Sequence, residues 1–167
     1  IEYPLKPDSE IFEEAKSAYE SGAFRYCMVF AGRGPSQKRI THISKLVKEI
    51  KSKYPIEVCV SPGIIDRNKA KALKQAGVDR INHNLNTSKR FYPKICTTHS
   101  YTDRIRTLES AKKEGLQICS GIIVGMGETK NDIIDVAYAL HKMKAASIPV
   151  NFFIPIEGNM RNTKPDI

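Results

Sequence analysis

A chain of 167 residues is long enough for one ordinary domain with a sizeable core. Its formal net charge is +9, but the lysines sit in helix-patterned runs such as KLVKEIKSK and KALKQAG with no interleaved aromatics, which argues against a nucleic-acid surface. No apolar run approaches the roughly 20 residues that span a bilayer, and IEYPLKPDSE has no signal-peptide core, so the four cysteines read as thiols of a reducing, cytoplasmic compartment.

The predicted elements alternate. A helix opens at Asp8 or Ser9, either of which can cap it, and stops at Gly22. FRYCMVF (24–30) is a strand, AGRGPSQ a loop, and 38–53 an amphipathic helix with Ile40, Ile43, Leu46, Val47 and Ile50 on one face. IEVCVSP (56–62) is the second strand, followed by a helix from Asp66 to Ala76 that stops at Gly77. VDRINHNL (78–85) is the third strand. Ser100 and Asp103 form an S-x-x-D start signal for a helix that closes at Gly115. LQICSGIIV (116–124) is the fourth strand, 129–145 a helix, and IPVNFFI (148–154) the fifth strand.

Strands alternating with helices imply a parallel sheet with crossover helices. The sheet could be open and doubly wound, or it could be part of a (β/α)8 barrel. Gly32-Arg33-Gly34 is a weak match to a dinucleotide loop, because Pro35 follows it. Polar residues favour the barrel. Parallel strands covered on both faces should be almost wholly apolar. Here one parity carries Ser61, Asn82, Asn84, Asn86, Gln117, Gly121 and Asn151. A buried amide without a partner costs about 1–3 kcal/mol, so an amide-lined face implies a lumen that holds a ligand or water.

Cys27, Cys59 and Cys119 fall near the middle of three predicted strands, about one and two repeats apart, with the parity of the asparagines. A single buried cysteine usually packs as a small hydrophobe. Three at equivalent heights would converge, and three thiolates suit a soft metal or an iron–sulfur cluster. Their spacing matches no zinc knuckle. Cys96 reads as structural or incidental. His83 has the opposite parity and should pack against a helix; His42 and His141 lie on helices, and His99 precedes one. No Ser-His-Asp set or carboxylate pair stands out for acid–base work. Gly125 and Gly127 form the turn after the fourth strand, where backbone can approach a ligand at the C-terminal face of a barrel.

Together these segments resemble the biotin synthases, a family of radical S-adenosylmethionine (SAM) enzymes. YCMV, NHNLNTS, CTTHSYTDR, CSGIIVGMGET and VNFFIPIEG stand in that family's order and spacing, from about residue 8 to 158. NHNLNTS followed by CSGIIVGMGE is the specific part. The resemblance implies a (β/α)8 barrel that cleaves SAM reductively at a 4Fe-4S cluster to give a 5′-deoxyadenosyl radical. That radical takes hydrogen from dethiobiotin, and a 2Fe-2S cluster supplies sulfur. It implies that Cys27, Cys59 and Cys119 ligate the 2Fe-2S cluster, with an arginine on a later strand as the fourth ligand. Asn82, Asn84 and Asn151 match dethiobiotin contacts, and Asn84 lies between the two substrates. Arg104 matches the partner of the SAM carboxylate, and Asn84, Asn86, Ile123 and Gly125 match further SAM contacts. Asn86 stands where some members carry an aspartate for the ribose. GIIVGMGE is similar to the G-x-I-x-G-x-x-E pattern near adenine. The resemblance also implies an electron donor such as a flavodoxin or ferredoxin, and a homodimer.

Two departures matter. The C-x-x-x-C-x-x-C loop for the 4Fe-4S cluster is absent, and IEGNMRNTKPDI replaces the family's usual GTPL after the sixth barrel strand. Residues 1–167 are therefore expected to form a single radical SAM barrel domain truncated at both ends. It would be a partial (β/α)8 TIM-type barrel with strands two to six, inactive alone and with no catalytic residue beyond the cluster ligands. The alternatives are another radical SAM enzyme of this group, a non-catalytic barrel that binds a ligand, and an aldolase-like barrel. The last needs an inward lysine or acid–base pair, and the inward positions offer amides and thiols instead.

Overall fold

A computed structural model describes residues 6–155. The closing segment IEGNMRNTKPDI lies outside them. The order is α1 (Asp8–Glu20), β1 (Arg25–Val29), α2 (Gln37–Lys53), β2 (Glu57–Ser61), α3 (Arg67–Gln75), β3 (Arg80–Asn82), a 3-10 turn (Tyr92–Lys94), α4 (Tyr101–Lys113), β4 (Gln117–Cys119), β5 (Ile122–Val124), α5 (Lys130–Lys142) and β6 (Val150–Phe152). β1, β2, β3 and β4 pair in chain order, all parallel, and β5 pairs with β6, also parallel. Bridges Asn86↔Ile122 and Cys119↔Ser147 join the two sheets into one curved wall. The α/β architecture is thus a partial barrel with an open wall among the described residues, as the polar parity and the family resemblance predict.

The helices start where side chains can take the free N–H groups of the first turn. Ser36, Asp66, Ser100 and Thr129 each accept a backbone N–H at their N-caps, and the last two complete capping boxes with Asp103 and Asp132. α1 differs from expectation. Its N-cap is Pro7, whose side chain carries no acceptor, and Asp8 is already the first helical residue, its carboxylate paired with His42 Nε2 at 2.8 Å. The helices cover one face of the wall. Ile40, Ile43, Leu46, Val47 and Ile50 of α2 pack with Val58, Val60 and Ile81. Leu108 of α4 and Val136 and Leu140 of α5 pack with Leu85, Ile118 and Ile122.

Two predicted strands are shorter or broken. The third leaves the ladder after Asn82, and the fourth is split into β4 and β5 at Ser120-Gly121. Side chains mend the break. Ser120 Oγ accepts the Leu85 N–H at 3.2 Å, and Asn84 Oδ1 accepts the Gly121 N–H at 2.9 Å. The ladder then resumes with Asn86 N–H on Gly121 O and Ile123 N–H on Asn86 O. Gly121 is required there, since a Cβ would overlap the carbonyl oxygen of Pro149, just before β6. Gly121→Ala should therefore destabilise the fold by about 1–3 kcal/mol through overpacking. A urea midpoint equal to that of the parent would show that the β5–β6 joint tolerates the methyl group.

Candidate functional site

Strand parity separates the two faces of the wall. Met28, Val58, Val60, Ile81 and Ile118 are buried under helices. The alternate positions, Arg25, Cys27, Val29, Glu57, Cys59, Ser61, Arg80, Asn82, Gln117 and Cys119, share the other face. One end of this inner face carries an ion triad. Glu57 Oε2 accepts from Arg25 Nε at 3.0 Å and from Arg80 Nε at 3.2 Å.

Beside the triad stand the cysteines. Cys27 and Cys59 are direct partners across β1–β2, while Cys119 pairs in register with Asn82, two strands from Cys59. All are free thiols. Cys59 hydrogen-bonds to Cys27, which favours the thiolate at Cys27 against its partial burial; nearby Arg25 acts the same way. Cys59 is pushed the other way, by that same bond and by burial. The expected convergence is partial: two sulfurs meet and the third lies across β3. Among the described residues no three Cys, His, Asp or Glu side chains close on one metal ion. A single ion needs sulfurs about 2.3 Å from its centre. Sulfurs spread over one wall instead suit a group larger than one ion, and soft thiolates suit iron–sulfur chemistry. The donor set fits such a group.

Burial alternates from Ile81 to Thr87. Ile81, His83, Leu85 and Thr87 are buried, and Asn82, Asn84 and Asn86 are intermediate. The period-2 reading therefore survives beyond β3, but the amides differ in availability. Asn82 Oδ1 is buried without a partner, an acceptor awaiting a donor. The oxygen of Asn84 is committed to Gly121, which leaves its NH2 group to donate. Asn86 has φ 69°, a left-handed conformation that asparagine tolerates. Asn151 is exposed on β6, in register with Ile123.

Beyond the ends of β3 and β5 the backbone turns into two loops. Arg104 Nη1 donates to Asn84 O at 2.6 Å, and its Nε donates to the Tyr92 hydroxyl. Gly125 has φ 95°. Glu128 closes the glycine turn by accepting from Gly125 N–H at 2.6 Å and Met126 N–H at 2.7 Å. Sequence reading missed Tyr92 and Asp132, and it had Glu128 only as the last position of the G-x-I-x-G-x-x-E match, without its backbone partners. The T-x-x-D spacing of Thr129 and Asp132 was the available signal for Asp132. Cys96 lies outside the inner face. Its sulfur is 3.5 Å from His99 Nδ1, beside a cavity of about 530 Å³ that Arg33, Lys89 and Tyr92 also line. His83 packs under the helices as its parity predicts, and burial, with nearby Arg104, lowers its pKa to about 3.

The radical SAM superfamily model matches residues 1–140. A biotin synthase of Magnetococcus marinus is 58% identical over 156 residues, 93% of this chain and 49% of that protein. A biotin synthase of Lysinibacillus sphaericus is 47% identical over 165 residues, 99% of this chain and 50% of that protein. The chain thus spans about half the length of the relatives it matches. Among solved structures, a methylornithine synthase superposes with a TM-score of 0.86 at 21% identity, covering 98% of this chain and 49% of that one. The hydrogenase maturase HydG of Carboxydothermus hydrogenoformans gives 0.77 at 18% identity, covering 93% and 39%. These likenesses show the barrel fold.

His83 gives a pH test. Its folded pKa of about 3 lies below the ordinary 6.5, so the unfolded chain binds one more proton between those values. Stability from keeping His83 neutral is complete above pH 6.5 and is lost as pH falls toward 3. Relative to His83→Gln, the parent should lose about 1.4 kcal/mol per pH unit inside that window. Parallel stability curves would contradict the assignment.

Proposed function

The chain belongs to the radical SAM superfamily, and on that premise we propose that the complete protein is a biotin synthase, which inserts sulfur into dethiobiotin with SAM as co-substrate. The observation that carries the reading is the unpaired, buried Asn82 Oδ1 on the face that also holds Cys27, Cys59 and Cys119. The ureido ring of dethiobiotin offers two N–H donors and one carbonyl. Asn82 supplies the missing acceptor, and the free NH2 group of Asn84 a donor. Asn151 faces the same substrate from β6.

On the SAM side, Arg104 would pair with the carboxylate, already aimed by Tyr92 and Asn84 O. Asn86 can hydrogen-bond both ribose hydroxyls, without the charge an aspartate would bring. Gly125, held by the Glu128 clasp, and Ile123, whose N–H is held by Asn86 O, lie on the adenine side. Cys27, Cys59 and Cys119 would hold a 2Fe-2S cluster. When bound, that cluster supplies sulfur and a 4Fe-4S cluster, held by ligands outside this sequence, supplies the electron for SAM cleavage. The wall's contribution is to keep Cys27, Asn82 and Asn84 on one face, and the glycine turn keeps SAM at the rim.

A low-potential donor such as a flavodoxin or ferredoxin, a homodimer and a cytoplasmic setting complete the proposal. No described helix is long and apolar enough to cross a membrane. The 167-residue chain alone should be inactive, since it lacks C-x-x-x-C-x-x-C and the wall its described residues form is open.

Anaerobic incubation of the complete protein with SAM, dethiobiotin and a reductant should yield biotin and 5′-deoxyadenosine. SAM cleavage without biotin would overturn the substrate assignment. Asn82→Ala should raise the dethiobiotin KM by about tenfold, the effect of one hydrogen bond of about 1.4 kcal/mol. An unchanged KM would remove Asn82 from the site. Biotin formed by the 167-residue chain alone would refute its predicted inactivity.

A further inference from the structure

Asp132 is a buried carboxylate, 2% exposed, at the third position of α5. Its two oxygens serve different parts of the chain. Oδ2 accepts from the Thr129 backbone N–H at 2.8 Å and the Thr129 hydroxyl at 2.6 Å. That half is ordinary helix capping. Oδ1 points away from the cap and accepts from the Ser88 hydroxyl at 2.5 Å and Arg90 Nη2 at 2.8 Å. α5 has no need of this second set, and a carboxylate buried without it would be costly.

The second set reaches the SAM rim in two steps. Ser88 Oγ, which donates to Asp132, also accepts the Phe91 N–H at 3.0 Å. Ser88 O accepts the Tyr92 N–H at 2.9 Å. Those bonds start the turn that places the Tyr92 hydroxyl under Arg104. On its other side Asp132 fixes Thr129, next to Glu128, whose carboxylate shapes the turn at Gly125 and Met126. Asn86 lies two residues before Ser88 in a left-handed conformation that needs a fixed loop.

Resting on the functional reading above, we propose that Asp132 is the positioning residue that clamps the loop 86–92 to the turn 125–129, setting the spacing of Asn86, Arg104 and Gly125 for SAM. It touches neither substrate. Its removal should loosen the SAM side of the site and spare the amide face that meets dethiobiotin.

The test uses the complete, cluster-loaded protein under anaerobic conditions. Equilibrium binding of SAM is measured, and then binding of dethiobiotin at saturating SAM, in the parent, Asp132→Asn and Ser88→Ala. Ser88→Ala is made in an Arg90→Ala background, because both side chains donate to Oδ1; the pair removes the loop half and leaves the α5 cap intact, so it answers the question even if Asp132→Asn does not fold. The clamp predicts a SAM Kd raised tenfold or more in the pair, and in Asp132→Asn where it folds, with the dethiobiotin Kd within twofold of the parent. A SAM Kd within twofold of the parent in the pair overturns the clamp. So does a parallel loss of both affinities, the mark of a merely structural residue. A parent protein that binds no SAM overturns the functional reading itself, and the clamp with it.

Discussion

Each strand of the wall has two faces, and the helices cover only one. This constraint orders the rest of the structure. Val58, Val60, Ile81 and Ile118 must meet the helices, because they carry the apolar area whose burial drives folding. The alternate residues are then committed to the inner face by the period of the strand alone. A slip of one residue would bury Glu57, Arg80 and Asn82 under α2 and α3 and turn the core to the lumen. The fold's hydrophobic pattern thus also places Cys27, Cys59, Asn82 and Cys119 together.

The rim is built on a different principle. At the break past Asn82 and Cys119 side-chain bonds replace the ladder, which resumes at Asn86 and β5, and in the loops beyond specific polar bonds take over. Ser120 and Asn84 carry the chain across the break, and Gly121 makes room for Pro149. Arg104 is aimed by a carbonyl and a phenol, and Glu128 by two N–H groups. These bonds are directional, so loops at the rim can be as exact as strands. The inner face therefore depends on apolar packing behind it, whereas the rim depends on a few buried polar contacts.

Most of the wall was legible from sequence because period and punctuation are local signals. The α2 stripe, the stops at Gly22, Gly77 and Gly115, and the S-x-x-D box at Ser100 all rest on neighbours within a few positions. The break at Ser120-Gly121 was not legible, since the bonds that span it, from Leu85 to Ser120 and from Gly121 to Asn84, are long-range. The missing α1 side-chain cap reflects a helix that starts at Asp8, one position too early for Asp8 to cap it. The inner parity of the cysteines and asparagines could be read directly; the register that sets Cys59 level with Gln117, and so Cys119 one inner-face step further on, could not, since strand height needs the ladder itself. Asp132, and the partners of the motif residue Glu128, escaped notice because those partners lie in turns, where sequence gives no direction. The family resemblance reached the rim residues only through matched motifs.

The central claim is that the inner-face thiols form a cluster site separate from the one that cleaves SAM. It is tested most directly by Mössbauer spectroscopy of the complete protein, reconstituted anaerobically with iron-57 and compared with Cys119→Ala. The account predicts two populations in the parent, from a 2Fe-2S and a 4Fe-4S cluster, and selective loss of the 2Fe-2S signal in the variant. A 2Fe-2S signal undiminished in Cys119→Ala would contradict it, as would a parent that holds only the 4Fe-4S cluster.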